Sequence, residues 1–355
     1  MLVKRIVRSC ILLLVLCLCA GCGEQSDVKR SDIVLDTAVT LTARGEDAQA
    51  AIDESMARIR NIDNMVNPNV PDSDVSKLSQ NAGTGKWVPL QPETYKMLAV
   101  AQDYARKTNG AFDVTTKPLV DLWGIGTDHA KVPTPAELSE AQKKVGWQKL
   151  ELDEGTHSAR LVQKGMGVDL GGVAKGFAVD EVRKIYARYG IKDGLINLGS
   201  SSMYALGVNQ EGQPWRIGLR HPRKEDAQEK MAILPLENEA LSTSGDYERF
   251  FEANGTRYHH ILDPRTGWPA MSGAMSVTII AADRVEDGGM LTDILTTAVF
   301  VLGAEQGARF LRGQDGIEGA ITDGRYQLWT TGNMATDLLE VSPDFHFWQE
   351  SGENL

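Results

Sequence analysis

Beyond residue 22 the sequence has no cysteine: Cys10, Cys17, Cys19 and Cys22 all lie in the first 22 of 355 residues. The rest of the chain therefore has no disulfide framework, no thiol nucleophile and no Cys-ligated metal. Positive charge is scarce as well. The formal net charge is −11, and outside the N-terminus there is no Lys/Arg cluster, which argues against nucleic acid as a partner. Phosphate-bearing small molecules stay open, because glycine amides and a divalent cation hold phosphates without net positive charge. Long apolar runs are missing too. Ile11 to Ala20 is too short for a spanning helix, and it follows Lys4, Arg5 and Arg8 in the manner of a secretory signal.

That stretch ends in Ala20-Gly21-Cys22, small residues before a cysteine as in a bacterial lipobox. The expectation is an exported lipoprotein, lipidated on Cys22 and anchored on the extracytoplasmic side of the membrane. Cys19 stands where such boxes usually have Leu. An ordinary cleaved signal with an incidental cysteine is the competing reading. The organisation expected is a signal over 1–22, a polar tether over 23–32 and a single domain over 33–345.

Within the domain, Ile33–Ala43 alternates and is rich in β-branched residues, which predicts one strand. Ile52, Met56, Ile59, Ile62 and Val66 recur at helical spacing until Asn67-Pro68 stops them. A second helix is expected from Pro92 to Lys107, and Thr134 to Glu137 spells a capping box for a third. Met166–Leu170 reads as a short strand leading into a helix closed by Gly190. Strands follow at 195–198, 215–219, 231–236 and 275–281, then a long apolar helix over 289–302. Strands and helices mix without a βαβ rhythm, so the fold class expected is α+β.

Three constellations carry chemistry. Val168-Asp169-Leu170-Gly171-Gly172-Val173-Ala174-Lys175 takes a strand into a helix through two glycines, with a carboxylate before and a lysine after. Free amides and the partial positive charge of a helix start suit an anion there. The segment is neither a Walker A motif nor GxGxxG, and a plain tight turn remains open. Asp293 and Thr297, four residues apart in an otherwise apolar helix, share one face. A buried carboxylate needs a partner, and a hard cation such as Mg²⁺ suits these oxygens; an exposed Asp and a back-bonded Thr are the alternative. His259-His260 precedes Ile-Leu-Asp-Pro-Arg-Thr-Gly. Neighbouring strand residues point to opposite faces, so at most one histidine faces a site and serves as base. Weaker signals are Ser242-Thr243-Ser244-Gly245-Asp246-Tyr247, which lacks a nucleophile-elbow context, and Asn109-Gly110-Ala111-Phe112-Asp113 after a helix end.

Taken in order, GAFDVTTKPLVDLWG, VDLGGVAKGFAVD, STSGDYERFF, HHILDPRTGWP and TDILTTAVFVLG resemble the ApbE family, the FAD:protein FMN transferases, from about Leu35 to Leu302. The resemblance implies a single α+β unit of two related, T-fold-like halves with FAD in the cleft between them. It implies that Leu35, where the family usually has Met, touches the flavin ring, and that Ala111, Phe112 and Asp113 line the nucleotide end. It implies FAD contacts at Asp169, Lys175 and Ser276, and Mg²⁺ held by Asp293, Thr297 and the carbonyl of Gly172. His260 matches the family's histidine by its place before Ile-x-Asp-Pro and is the implied catalytic base. The implied reaction is Mg²⁺-dependent transfer of FMN from FAD, the substrate, to a Thr or Ser hydroxyl of an exported redox protein, with AMP released. Asn67 stands where the family has a flavin-stacking Tyr, and Asn197–Met203 departs from a double-glycine turn. Three rival readings follow: an FAD pyrophosphatase on the same fold, a non-catalytic flavin-binding lipoprotein, and a structural lipoprotein without ligand.

Overall fold

The computed structural model describes residues 26–226 and 228–349; the expected signal and Cys22 lie outside them. Strand pairing starts earlier than the sequence pattern suggests. β1 (Val28–Val34) and β2 (Thr37–Arg44) form an antiparallel hairpin. Residues 28–32, expected to be tether, are thus an edge strand, and the single strand expected over 33–43 breaks at Leu35-Asp36. Both turn residues have positive φ, 54° and 53°, as in the two-residue turns whose twist matches the flanking strands. Asp36 is a usual turn residue, but Leu35 before it is not and masks the signal.

The chain continues through α1 (Ala48–Val66), α2 (Asp74–Gln80), β3 (Val88–Pro89), α3 (Pro92–Lys107), α4 (Lys117–Trp123), α5 (Pro135–Gln142), β4 (Leu150–Asp153) and β5 (Ser158–Leu161). Then come α6 (Ala174–Arg188), β6 (Asp193–Leu198), β7 (Ser202–Leu206), β8 (Trp215–Arg220), β9 (Lys230–Leu236), β10 (Glu239–Gly245), β11 (Phe250–Ala253) and β12 (Thr256–His259). The last elements are β13 (Ala274–Ala282), α7 (Gly288–Leu302), α8 (Ala304–Leu311), β14 (Ile317–Asp323), β15 (Gln327–Thr330), α9 (Met334–Asp337) and β16 (His346–Phe347). β16 and the stacking of Trp348 on Trp329 at 3.9 Å carry the domain slightly past its expected end at 345. Residues 166–170 form no strand; Asp169 N–H donates instead to the Val114 carbonyl at 2.8 Å. Among the described residues no helix is long and apolar enough to cross a membrane.

One nine-stranded sheet, in the order β1-β2-β6-β7-β10-β13-β14-β15-β16, organises the fold. Two halves repeat one plan: β1-β2, α1, α6, β6-β7 and then β10-β13, α7, α8, β14-β15. Residues 67–173 are an insertion between the helices of the first half. This is the expected α+β fold of two related halves. The helices cover one face, where Ile52, Met56, Ile59 and Ile62 pack with Val39, Leu41, Val182 and Val277. The β8-β9 hairpin and the C-terminal segment cover the other, over Met203, Leu241, Met275 and Ile280. Burial on both faces explains why β13 is buried at every position but its last.

The strand registers bring the Leu35-Asp36 turn, residues 199–201, the end of β10 and the start of β13 to one end of the sheet. Helix α1, about 28 Å long at 1.5 Å per residue, carries Asn67 back to this same end, and α6 begins there.

Candidate active site

Helices α6 and α7 carry the same pattern: Gly176 with Asp180, and Gly289 with Asp293. They run antiparallel with their first turns overlapping, where backbone N–H groups have no partner in their own helix. Each carboxylate reaches across to the other helix's glycine. Gly289 N–H donates to Asp180 Oδ1 at 2.9 Å, and Gly176 N–H donates to Asp293 Oδ2 at 3.0 Å. Only glycine permits the approach: a Cβ on Gly176 would stand 2.1 Å from the Gly289 carbonyl oxygen.

The two carboxylates are not equally committed. Asp180 also accepts from Met290 N–H at 2.8 Å, and burial pushes its pKa up to about 6. Asp293 keeps Oδ1 clear of backbone donors, 3.8 Å from Lys175 Nζ. That lysine donates to the Gly171 carbonyl at 2.8 Å. One turn further along α7, a Cβ at Gly172 would lie 3.3 Å from Thr297 Oγ1 and 3.4 Å from the ring of Phe112. Thr292 and Thr296 spend their hydroxyls on the carbonyls of Gly289 and Asp293. Thr297 makes no such bond among the described residues, so its half-buried hydroxyl is free for a ligand.

The described residues contain no group of three or more His, Cys, Asp or Glu placed to share a metal. A hard cation here would rest on one carboxylate oxygen, one hydroxyl and a backbone carbonyl, completed by substrate oxygens. That donor set suits Mg²⁺, which keeps several non-protein ligands.

The two histidines divide as strand alternation requires. His259 is buried edge-on to Phe300, its Nε2–H donating to the Ala270 carbonyl at 3.1 Å, and its Nδ1 has no partner among the described residues. Burial lowers its pKa. His260 is half-buried on the other face. The Arg249 carbonyl accepts from both its backbone N–H at 3.0 Å and its Nδ1 at 3.2 Å. A carbonyl can only accept, so Nδ1 carries the proton and Nε2 presents its lone pair. Desolvation, then the charge of Arg249, depresses the His260 pKa to about 3.

The remaining expected residues distribute as follows. Leu35 is half-buried in its hairpin turn. Asn67 spends its side chain locally, donating to Asp63 Oδ1 at 3.1 Å and accepting from Asn69 N–H at 2.9 Å. Ala111, Phe112 and Asp113 are buried. Burial raises the Asp113 pKa, and its carboxylate accepts from Thr115 N–H and Oγ1–H at 2.8 and 2.7 Å. Half-buried Asp169 accepts from Gly171 N–H at 2.7 Å and shapes the turn before α6. Ser276 is buried beside Tyr247, its Oγ 3.3 Å from the phenol oxygen. Asp180 and Arg249 went unnoticed in the sequence. The repeated Gly-x-x-x-Asp was the available signal for the first; the second had none.

Residues 35–321 match the ApbE family. The chain belongs to this family. The matched segment contains every candidate site residue from Leu35 to Thr297. This ApbE protein is similar to the FAD:protein FMN transferase of Treponema pallidum (strain Nichols), 31% identical over 328 residues that cover 87% of this chain and 88% of the relative. The FAD:protein FMN transferase of Klebsiella pneumoniae (strain 342) is 36% identical over 260 residues, 73% and 78% of the two chains. Among solved structures, the ApbE protein of Thermotoga maritima MSB8 superposes with a TM-score of 0.79 at 28% identity, over 89% of this chain and all of that one. The flavin transferase ApbE from Vibrio cholerae gives 0.78 at 25% identity, over 88% and 100%.

Proposed function

We propose that this ApbE protein transfers FMN from FAD to a Thr or Ser hydroxyl of an acceptor protein and releases AMP. The observation that carries the reading is the convergence, at one end of the helix pair, of the uncommitted Asp293 and Thr297 oxygens and Lys175, with His260 within reach of Lys175's charge. The relatives' own names agree with it. Asp293, Thr297 and the Gly172 carbonyl would hold Mg²⁺, which when bound offsets the charge of the pyrophosphate. His260 Nε2 takes the proton of the acceptor hydroxyl. The hydroxyl oxygen bonds to the FMN-side phosphorus, the bond from that phosphorus to the AMP phosphate oxygen breaks, and AMP leaves with the electron pair. Lys175 adds positive charge beside the phosphates. Leu35 and the 111–113 segment would meet the flavin and nucleotide ends of FAD, with Asp169 and Ser276 completing the cradle.

Asn67 favours a second reading, an FAD pyrophosphatase. Its amide is engaged in its own turn and offers the flavin no ring to stack on, which weakens the hold that keeps water from replacing the acceptor. Incubating the domain from Gly23 with FAD and Mg²⁺, with and without a threonine-bearing acceptor domain, separates the two by mass spectrometry. FMN mass on the acceptor establishes transfer; free FMN and AMP in both tubes establish hydrolysis. Intact FAD in both removes both readings. We further propose lipidation at Cys22 and an extracytoplasmic location, tested by labelled fatty-acid incorporation that a Cys22→Ser variant loses.

A further inference from the structure

The transfer reading uses His260 and Lys175 and leaves one charged neighbour without work. In the β11-β12 ladder Phe250 pairs with His259, so Arg249 stands directly opposite His260. Residues opposite one another in an antiparallel pair project from the same face, with Cβ atoms about 5 Å apart. The Arg249 stem runs along the turn after α4, its Cδ 3.4 Å from where a Cβ on Gly126 would stand. Gly126 has φ +90°, a conformation that favours glycine, and the missing side chain gives the arginine its lane.

The guanidinium has no carboxylate within ion-pair distance among the described residues, although acids are near. Asp246 is held by Arg223 through two bonds of 2.7 Å, and Glu248 leans to Arg220 at 3.9 Å. The His260 imidazole thus feels the positive charge of both Arg249 and Lys175, and among the described residues the ion-pair partner of that lysine is Asp293 at 3.8 Å, while the guanidinium has none. That surplus of positive charge beside a base calls for an anion.

We propose that Arg249 is a further catalytic residue, its guanidinium holding a non-bridging oxygen of the phosphate that the acceptor hydroxyl attacks. This rests on the transfer reading. The hydroxyl bound to His260 Nε2 and the phosphorus it attacks must be adjacent, and the guanidinium opposite His260 reaches the equatorial oxygens of that phosphorus. Charge spreads onto those oxygens in the transition state, where a planar fork of donors stabilises it best.

Substitution leaves the Arg249 carbonyl, and with it the His260 tautomer, in place, so a variant isolates the guanidinium. The experiment measures single-turnover AMP release from FAD with Mg²⁺ and the threonine-bearing acceptor domain, alongside FAD affinity by flavin fluorescence. Arg249→Ala is expected to slow release about 100-fold, at least tenfold more than it weakens FAD binding. Arg249→Lys recovers part of the rate, or guanidinium chloride at millimolar concentration does so in the Ala variant. A rate within threefold of wild type overturns the proposal, and so does a loss that neither Lys nor free guanidinium relieves. Wild-type protein that releases no AMP would instead remove the underlying functional reading.

Discussion

Adding one methyl group at Gly176 tests whether the α6–α7 contact holds both fold and site. Its Cβ would meet the Gly289 oxygen at 2.1 Å, the Gly289 carbon at 2.6 Å and Asp293 Cβ at 2.8 Å, where ordinary contact begins near 3.4 Å. Two of these are backbone atoms that cannot rotate away, so the helices must part by about 1 Å. Overpacking of this kind costs about 1–3 kcal/mol. Separation also breaks the bond from Gly176 N–H to Asp293, and charge-assisted bonds are worth about 1.5–3 kcal/mol. Alanine's better helix propensity returns about 1 kcal/mol. The net loss is about 2–4 kcal/mol, which at about 1.5 °C per kcal/mol lowers the melting temperature of a domain this size by roughly 3–6 °C. Thermal melting by circular dichroism and Mg²⁺-dependent AMP release are the assays, and both should fall together because Asp293 moves with its helix. Gly313→Ala is the control, meeting only the Phe310 carbonyl at 3.5 Å, and should stay within about 0.5 kcal/mol of wild type. If Gly176→Ala melts within 1 °C of wild type and releases AMP normally, the reasoning fails.

Asp293→Asn keeps an oxygen for Gly176 N–H but loses the charge. Mg²⁺-dependent release should drop at least about 100-fold with melting little changed, and an active variant would sink the metal assignment. His260→Gln should slow transfer about 10²–10⁴-fold while FAD affinity shifts only a few-fold. Because the His260 pKa is held at about 3, its base form is present at every pH well above that value. The kcat/KM profile should therefore show no acid limb at the ordinary histidine value, and a break near 6.5 assigned to His260 would contradict this. Glu239 is raised from 4.5 to about 7, chiefly by burial and then by Glu318 and Asp337. A folded pKa above the unfolded one means stability present below about 4.5 and lost as pH rises through 7. Glu239→Gln should thus stabilise the protein at pH 8 by about 1–2 kcal/mol, a figure halved for the carboxyl's partial exposure, and leave it unchanged at pH 4. Urea titrations at the two pH values check it, and equal effects at both would refute it.

Local signals in the sequence survived well. The Thr134 capping box forms as written, Asn67 ends α1, and the nearly unbroken apolar run of α7 announced both its burial and the oddity of Asp293 within it. The histidine alternation was legible because strand geometry alone decides it. What stayed hidden depends on partners distant in the chain. Asp180 finds its donors 109 and 110 residues away, and its only trace in the sequence is the Gly-x-x-x-Asp spacing it shares with Gly289 and Asp293. The Leu35-Asp36 turn hides for a different reason: Leu35, a residue that rarely takes positive φ, does so beside Asp36 because the pairing of β1 with β2 demands it. Residues 166–170 look like a strand by composition, yet their backbone bonds go to Ser79 and Val114 instead of a ladder. Arg249 is an exposed arginine among many until the ladder sets it opposite His260.

The exchange of carboxylates between α6 and α7 also governs how the molecule comes apart. Neither half can complete its own central helix: the free amides of each first turn are satisfied by an acid that belongs to the other. Unfolding one half strands buried donors in its neighbour, so the halves should lose structure in a single transition with no half-folded state between. The same coupling lets the two helix starts specialise. One aspartate, saturated by two amides, serves as a bolt; its counterpart, bound by one, keeps an oxygen to spare.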